Sequence, residues 1–118
     1  MLRPIASLLA ASALLVFAST GVAASPKLVG TTGPGFSIKV TMNGKALKTL
    51  KAGTYSLAVN DKASIHDFHL MGPGINKVVT SVGFVGTKTI TVSLKKGTYR
   101  YQCDPHASSG MKGSFTVS

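Results

Sequence analysis

The stretch YQCDPHASSGM, residues 101–111, is the part of this chain that decides its fold. It contains Cys103, the only cysteine of the 118 residues, followed by His106 and Met111 in the spacing C-x2-H-x4-M. A lone cysteine is most often a buried structural thiol, and a lone methionine is most often core filler. A thiol, an imidazole and a thioether on one short loop instead favour a metal site.

A second imidazole, His66, lies upstream in an alternating apolar stretch at 64–70. Strand alternation places Cys103 on the inner face of the preceding strand. The same alternation turns His66 inward, and it turns Asp67 and His69 outward. We therefore predict His66 rather than His69 as the second imidazole ligand, although a one-residue shift would reverse the face.

These four donors form a recognisable set. Two imidazole nitrogens and one thiolate, with a weak thioether on the axis, are the ligands of a blue-copper site. The residues are His66, Cys103, His106 and Met111. Affinity alone does not exclude zinc from the same cage, so the donor set predicts a metal site and favours copper.

The rest of the chain after residue 24 has the pattern of an all-β protein. Apolar residues alternate with polar ones in several short segments, and turn signals such as Asn43-Gly44 separate them. We predict strands at about 36–40, 53–59, 64–70, 87–94, 98–103 and 113–117. Short strands with regular turns in about a hundred residues predict a β-sandwich or barrel.

The first 24 residues have the pattern of a secretory signal peptide. Arg3 precedes an apolar stretch at 5–17, and Val22-Ala23-Ala24 fits a small-residue cleavage site. The apolar stretch is short for a membrane span, although an uncleaved anchor is the alternative. Cleavage would leave 25–118 as a single domain without stable membrane insertion. We expect export to the periplasm, with secretion or a cell-surface location as the alternatives.

The charge is strongly positive. Thirteen lysines and arginines stand against three acidic residues, which gives a net charge of +10. The lysines are scattered and form no basic helix, so we do not expect nucleic acid as a partner. Redox protein partners with acidic docking surfaces are a better fit, with a merely solubilising surface as the alternative. A small, very positive domain also favours a monomer.

The motifs resemble those of the small blue-copper proteins, or cupredoxins, particularly the plastocyanin and pseudoazurin branch. The matching pieces are His66-Asp67 and the segments 101–106 and 111–115. The resemblance implies a Greek-key β-sandwich with one type 1 copper ion at one end, bound by the four donors with Met111 axial. It also implies one-electron shuttling between Cu(I) and Cu(II), with the edge of the His106 ring as the exit for electrons.

One residue departs from the family pattern. The family usually has asparagine after the upstream histidine, where this chain has Asp67, and Asp104 follows the cysteine. If the two carboxylates meet, one pKa should rise. We therefore expect a copper potential or geometry that changes with pH, and we expect Asp67→Asn to flatten that change.

Three classes of function follow from this sequence. The first is an electron carrier. The second is a copper-handling protein for periplasmic delivery, buffering or resistance, although the chain lacks Met- or His-rich clusters. The third is a binding domain with an incidental metal site. An enzyme is not expected, because Cys103 and His106 lack a third orienting group for nucleophilic catalysis, and only His69 remains for another copper.

Overall fold

The computed structural model describes residues 12–13 and 24–118. The predicted signal peptide, residues 1–24, lies almost wholly outside the described residues. None of the helices in the described part has the length and apolar character needed to cross a bilayer.

The described chain consists of ten strands and one short 3₁₀ helix. The strands are β1 (Lys27–Thr32), β2 (Ile38–Met42), β3 (Lys45–Ala46), β4 (Thr49–Leu50), β5 (Gly53–Asp61), β6 (Phe68–Gly72), β7 (Ile75–Thr80), β8 (Gly86–Leu94), β9 (Gly97–Gln102) and β10 (Lys112–Val117). The 3₁₀ helix, Asp104–Ser109, lies between β9 and β10.

The strands form two five-stranded sheets that pack face to face. Their orders are β3-β2-β1-β5-β8 and β4-β10-β9-β6-β7. Each sheet is mixed, because β1 pairs with β5 in parallel and β4 pairs with β10 in parallel. The prediction of an all-β sandwich is confirmed.

The core lies between the sheets and consists of the inward residues of alternating strands. In β5, for example, Tyr55, Leu57 and Val59 are buried, as their period of two predicts. Four of the buried aromatic rings stack in two pairs in this core. The pairs are Phe68 with Tyr101 and Tyr99 with Phe115, at centroid distances of 5.8 and 5.4 Å and an interplanar angle of 7° in each.

The antiparallel pair of β9 and β10 positions the ligand loop. Lys112 lies opposite Gln102, so residues 103–111 close the hairpin between these two strands. Cys103 therefore follows the last residue of β9, and Met111 precedes the first residue of β10. The other imidazole, His66, lies two residues before β6.

Two details of the predicted strands are wrong. Residues 64–67 are not in a strand, because β6 begins only at Phe68. Asp67 is consequently buried rather than outward, since strand alternation does not apply to a turn. Phe36 precedes β2 instead of belonging to it, and its side chain is 68% exposed.

Candidate metal centre

The ligand loop is held in a compact turn by its own main chain. The nitrogen of His106 donates to the oxygen of Cys103 at 3.0 Å, and that of Met111 donates to the oxygen of His106 at 3.2 Å. The nitrogen of Cys103 donates in turn to the oxygen of Met111 at 3.0 Å. These bonds turn the chain back on itself, and they leave Cys103 and Met111 buried at its two ends.

Three predicted donor atoms converge on one point. Nδ1 of His66 lies 3.1 Å from Nδ1 of His106, and Sγ of Cys103 lies 3.6 and 3.4 Å from these two nitrogens. A point equidistant from the three atoms lies about 2 Å from each, which is the length of a metal–nitrogen bond. The donor set and its spacing therefore fit a metal ion that these three side chains would hold.

His66 is oriented by the segment that follows β1. Its Nε2 lies 3.4 Å from the carbonyl oxygen of Pro34, and its main-chain nitrogen donates to the oxygen of Ala63 at 3.2 Å. A carbonyl acceptor for one ring nitrogen leaves the other nitrogen with a lone pair for a metal. The contact with Pro34 therefore directs Nδ1 toward Cys103 and His106.

Burial sets the electrostatics of the thiol. Cys103 is fully buried, and this desolvation raises the pKa of its thiol above 9.0. Hydrogen bonds from the main chain of Asp67 and His106 oppose this rise in the pKa of the thiol. A cation bound at the three-atom site would stabilise the thiolate directly, since a coordinating thiol is deprotonated.

Met111 is the fourth predicted donor, and the structure places it beside the other three. Its side chain is buried, and its main chain is hydrogen-bonded to both Cys103 and His106. The structure thus collects Met111 at the same end of the sandwich as the three converging atoms. Its role as the axial ligand stays a prediction.

An exposed aromatic ring covers the outer edge of the site. The ring of Phe36 lies edge-on to the rings of His66 and His106, at centroid distances of 5.6 and 4.8 Å. His106 is itself only half-buried. Sequence reasoning missed this contact because it placed Phe36 in a strand, although the Gly33-Pro34-Gly35 sequence directly before it was a signal for a loop there.

The Asp67 carboxylate contacts the main chain of Asp104, and the charge of the Asp104 carboxylate lies near enough to act on it. The main-chain nitrogen of Asp104 donates to Oδ1 of Asp67 at 2.6 Å. Burial raises the pKa of Asp67, with a further rise from the nearby charge of Asp104. The pKa of Asp104 is lowered although burial opposes it, because Gln102 and His69 hydrogen-bond to its carboxylate.

His69 does not point into the metal site. Its side chain lies on the outer face of β6 and is 17% exposed, where its Nδ1 contacts the Asp104 carboxylate. The inward and outward assignment of the two histidines therefore matches the sequence prediction. The partner of His69 was not predicted, since its contact with Asp104 spans 35 residues of chain.

Comparison with known proteins agrees with this geometry. Residues 51–118, which include all four predicted donors, match the family described as copper binding proteins, plastocyanin/azurin family. The chain belongs to this family. Its His66, Cys103 and His106, together with Met111, have the arrangement of a type 1 copper site, so copper is the metal of this cupredoxin.

Individual relatives resemble parts of the cupredoxin chain. Plastocyanin from Daucus carota is 55% identical over 31 residues, which cover 25% of this chain and 32% of that plastocyanin. The match thus spans about a third of the length of this relative. A structure of the copper protein rusticyanin matches with a TM-score of 0.58 at 26% identity. The match covers 78% of this chain and 76% of the rusticyanin chain. Rusticyanin from Thiobacillus ferrooxidans has a TM-score of 0.54 at 26% identity, with the same coverage.

Proposed function

We propose that this protein is a type 1 copper protein that carries single electrons between redox partners. In this proposal His66, Cys103 and His106 would hold the copper, and Met111 would supply a further, weaker sulfur donor. The convergence of Nδ1, Nδ1 and Sγ on one buried point supports the assignment most directly. Copper bound by such ligands supplies reversible one-electron chemistry between Cu(I) and Cu(II).

The residues of the chain keep the site closed and fixed in shape. Cys103, His66 and Met111 are buried, and His106 is half-buried, so water has little access to the donors. The main-chain bonds of the loop hold Cys103 and His106 in register with each other. A site fixed in this way favours electron transfer over copper exchange, because its ligands need little movement.

The half-buried ring of His106 is the proposed path for electrons. It lies at the surface end of the site and contacts the exposed ring of Phe36. A partner that docks over Phe36 would come within a short distance of the His106 ring. The proposed partners are redox proteins with acidic docking surfaces, since the net charge of the chain is +10.

The remaining parts of the proposal concern location and state. The pattern of residues 1–24 supports cleavage of a signal peptide and export, most simply to the periplasm. Residues 25–118 would then form a single domain, and the strong positive charge supports a monomer. The proposal includes no catalytic activity of the chain itself.

The test is the visible absorption spectrum of the purified protein after addition of Cu(II). We expect an intense thiolate-to-copper band that a mild reductant bleaches reversibly, and that Cys103→Ser abolishes. A colourless product with a reactive thiol would contradict the proposal. Rapid loss of a blue colour to a modest chelator would instead favour the copper-handling function in delivery, buffering or resistance.

A further inference from the structure

His69, which is not a proposed ligand, binds the ligand loop from its outer side. Nδ1 of His69 lies 2.8 and 3.0 Å from the two carboxylate oxygens of Asp104. Nε2 of the same ring faces Oδ1 of Asn76. Both ring nitrogens thus face oxygen atoms, and a doubly protonated ring donates to both. The contact of His69 with Asp104 is the one ion pair among the residues the structure describes.

Asp104 is oriented toward this histidine rather than toward its own helix. It is the first residue of the 3₁₀ helix, where a negative charge is favourable near the free main-chain nitrogens. No side chain caps this helix at Cys103, and the Asp104 carboxylate instead accepts hydrogen bonds from His69 and from Nε2 of Gln102 at 2.8 Å. The carboxylate therefore fastens the loop to the neighbouring strands.

Asp104 is held at its main chain as well as at its side chain. Its nitrogen donates to Oδ1 of the buried Asp67 at 2.6 Å, and its carboxylate binds His69. Both partners follow His66 closely in the sequence. The two contacts thus join the segment that carries His66 to the loop that carries Cys103, His106 and Met111.

The strand register brings this contact close to the ligands. His69 of β6 lies opposite Gln102 of β9, which is the residue before Cys103. The pairing of β6 with β7 is irregular between Phe68 and His69. Because such an irregularity re-aims the side chains beside it, it contributes to the direction of the His69 ring.

We propose that His69 is a positioning residue of the metal centre, which fixes the Cys103–Met111 loop relative to His66 by holding the Asp104 carboxylate. His69 does not touch the three converging donor atoms, and it acts through Asp104. The inference rests on the proposed ligand roles for its effect on copper. Its effect on the loop is measurable without copper.

The expected effect follows from the nature of the contact. A charged hydrogen bond to both carboxylate oxygens restricts the loop more than a neutral one would. Residues that orient metal ligands in this way typically change metal affinity by about 10- to 100-fold when they are replaced. Because His69 acts through Asp104 and the pair is partly exposed, we expect His69→Leu to lose copper to excess EDTA about three- to fivefold faster than the wild type. His69→Gln, which retains a donor, should be intermediate.

The matched control is Thr87→Val. Thr87 donates to Oδ1 of Asn60 at 2.7 Å, an exposed side-chain hydrogen bond on the other sheet. Its loss removes a surface contact of similar kind without touching the ligand loop. We expect the rate of copper loss from Thr87→Val to stay within about twofold of the wild type. We expect the visible band to stay at the same wavelength.

The second measurement uses the copper-free protein. The main-chain amides of His106 and Met111 are hydrogen-bonded within the loop, so their hydrogen exchange reports its opening. We expect faster exchange at these amides in His69→Leu and unchanged exchange in Thr87→Val. The inference would be overturned if His69→Leu stayed within twofold of the wild type in both copper loss and amide exchange. It would also be overturned if Thr87→Val showed the same changes as His69→Leu. If the wild type forms no blue band, the proposed function fails, and the exchange rates alone decide the role of His69.

Discussion

Replacing Gly33 by alanine should damage the metal centre beyond its effect on the backbone. Gly33 has a φ of +76°, in the left-handed region, and a Cβ atom there would lie 2.8 Å from Cδ2 of His66. Ordinary contact begins at 3.4 Å, so the imidazole would have to retreat by about 0.6 Å. That ring is confined by the carbonyl oxygen of Pro34 on one side and by Nδ1 of His106 on the other.

The sequence offers a matched control for the backbone effect. Gly44 has the same φ of +76°, and a Cβ atom there would have no neighbour within 4 Å. The free energy of unfolding of Gly44→Ala should therefore fall only by the cost of placing alanine in the left-handed region, about 1–2 kcal/mol. Gly33→Ala should add an overpacking cost of about 1–3 kcal/mol, because the His66 ring must move.

The assay has two parts. Urea unfolding of the copper-free variants measures the stability difference, and a competition titration with a chelator measures copper affinity. We expect affinity to fall at least about tenfold in Gly33→Ala and to stay unchanged in Gly44→Ala. Equal losses of stability and equal copper affinities in the two variants would refute the view that the loop after β1 positions His66.

Three further predictions concern single side chains. Tyr99→Phe should lower the free energy of unfolding by about 1–3 kcal/mol in urea titrations. The Tyr99 hydroxyl accepts a hydrogen bond from the main-chain nitrogen of Lys95 at 2.8 Å and donates one to the carbonyl oxygen of Pro73 at 3.0 Å. An unchanged unfolding midpoint would contradict this prediction. Phe36→Ala should leave the visible band and the stability (within about 0.5 kcal/mol) unchanged, but should slow electron exchange with a protein partner in stopped-flow mixing; an unchanged rate would remove Phe36 from the docking surface. The pKa of His69 is raised above 6.5 although burial opposes it, because Asn76 and Asp104 accept its hydrogen bonds. The contact of His69 with Asp104 should stabilise the fold by under about 1 kcal/mol, because the pair is partly exposed. This contribution should be complete below pH 6.5 and should be lost as the pH rises through the pKa of His69 in the folded protein. Urea titrations of copper-free wild type and His69→Gln should converge at higher pH, and parallel profiles would exclude the pair as the cause.

The metal centre was predictable from sequence because its donors are concentrated in one short motif. The spacing of Cys103, His106 and Met111 on a hairpin loop already restricts them to one end of the molecule. Strand alternation correctly turned Cys103 inward, since β9 extends to the residue before it. His66 was also found to face inward, even though it lies in a turn rather than in a strand.

Other features depend on contacts between distant segments, and local pattern does not carry them. The buried position of Asp67 results from its bond to the main chain of Asp104, 37 residues away. The edge-on position of Phe36 depends on where the loop after β1 meets His66. The parallel pairing of β1 with β5 likewise arises only when the two sheets assemble, because the residues of a strand do not specify its neighbour.

The placement of three proposed ligands within nine residues of chain also affects the coupling between copper and folding. An unfolded chain keeps Cys103, His106 and Met111 close together along the sequence, and it loses only His66 from the set. Because a metal that also binds the unfolded state stabilises the folded state less, copper should raise stability by less than its affinity for the native protein implies. The same local segment would let a still unfolded chain take up copper first and add the last imidazole as the sheets close.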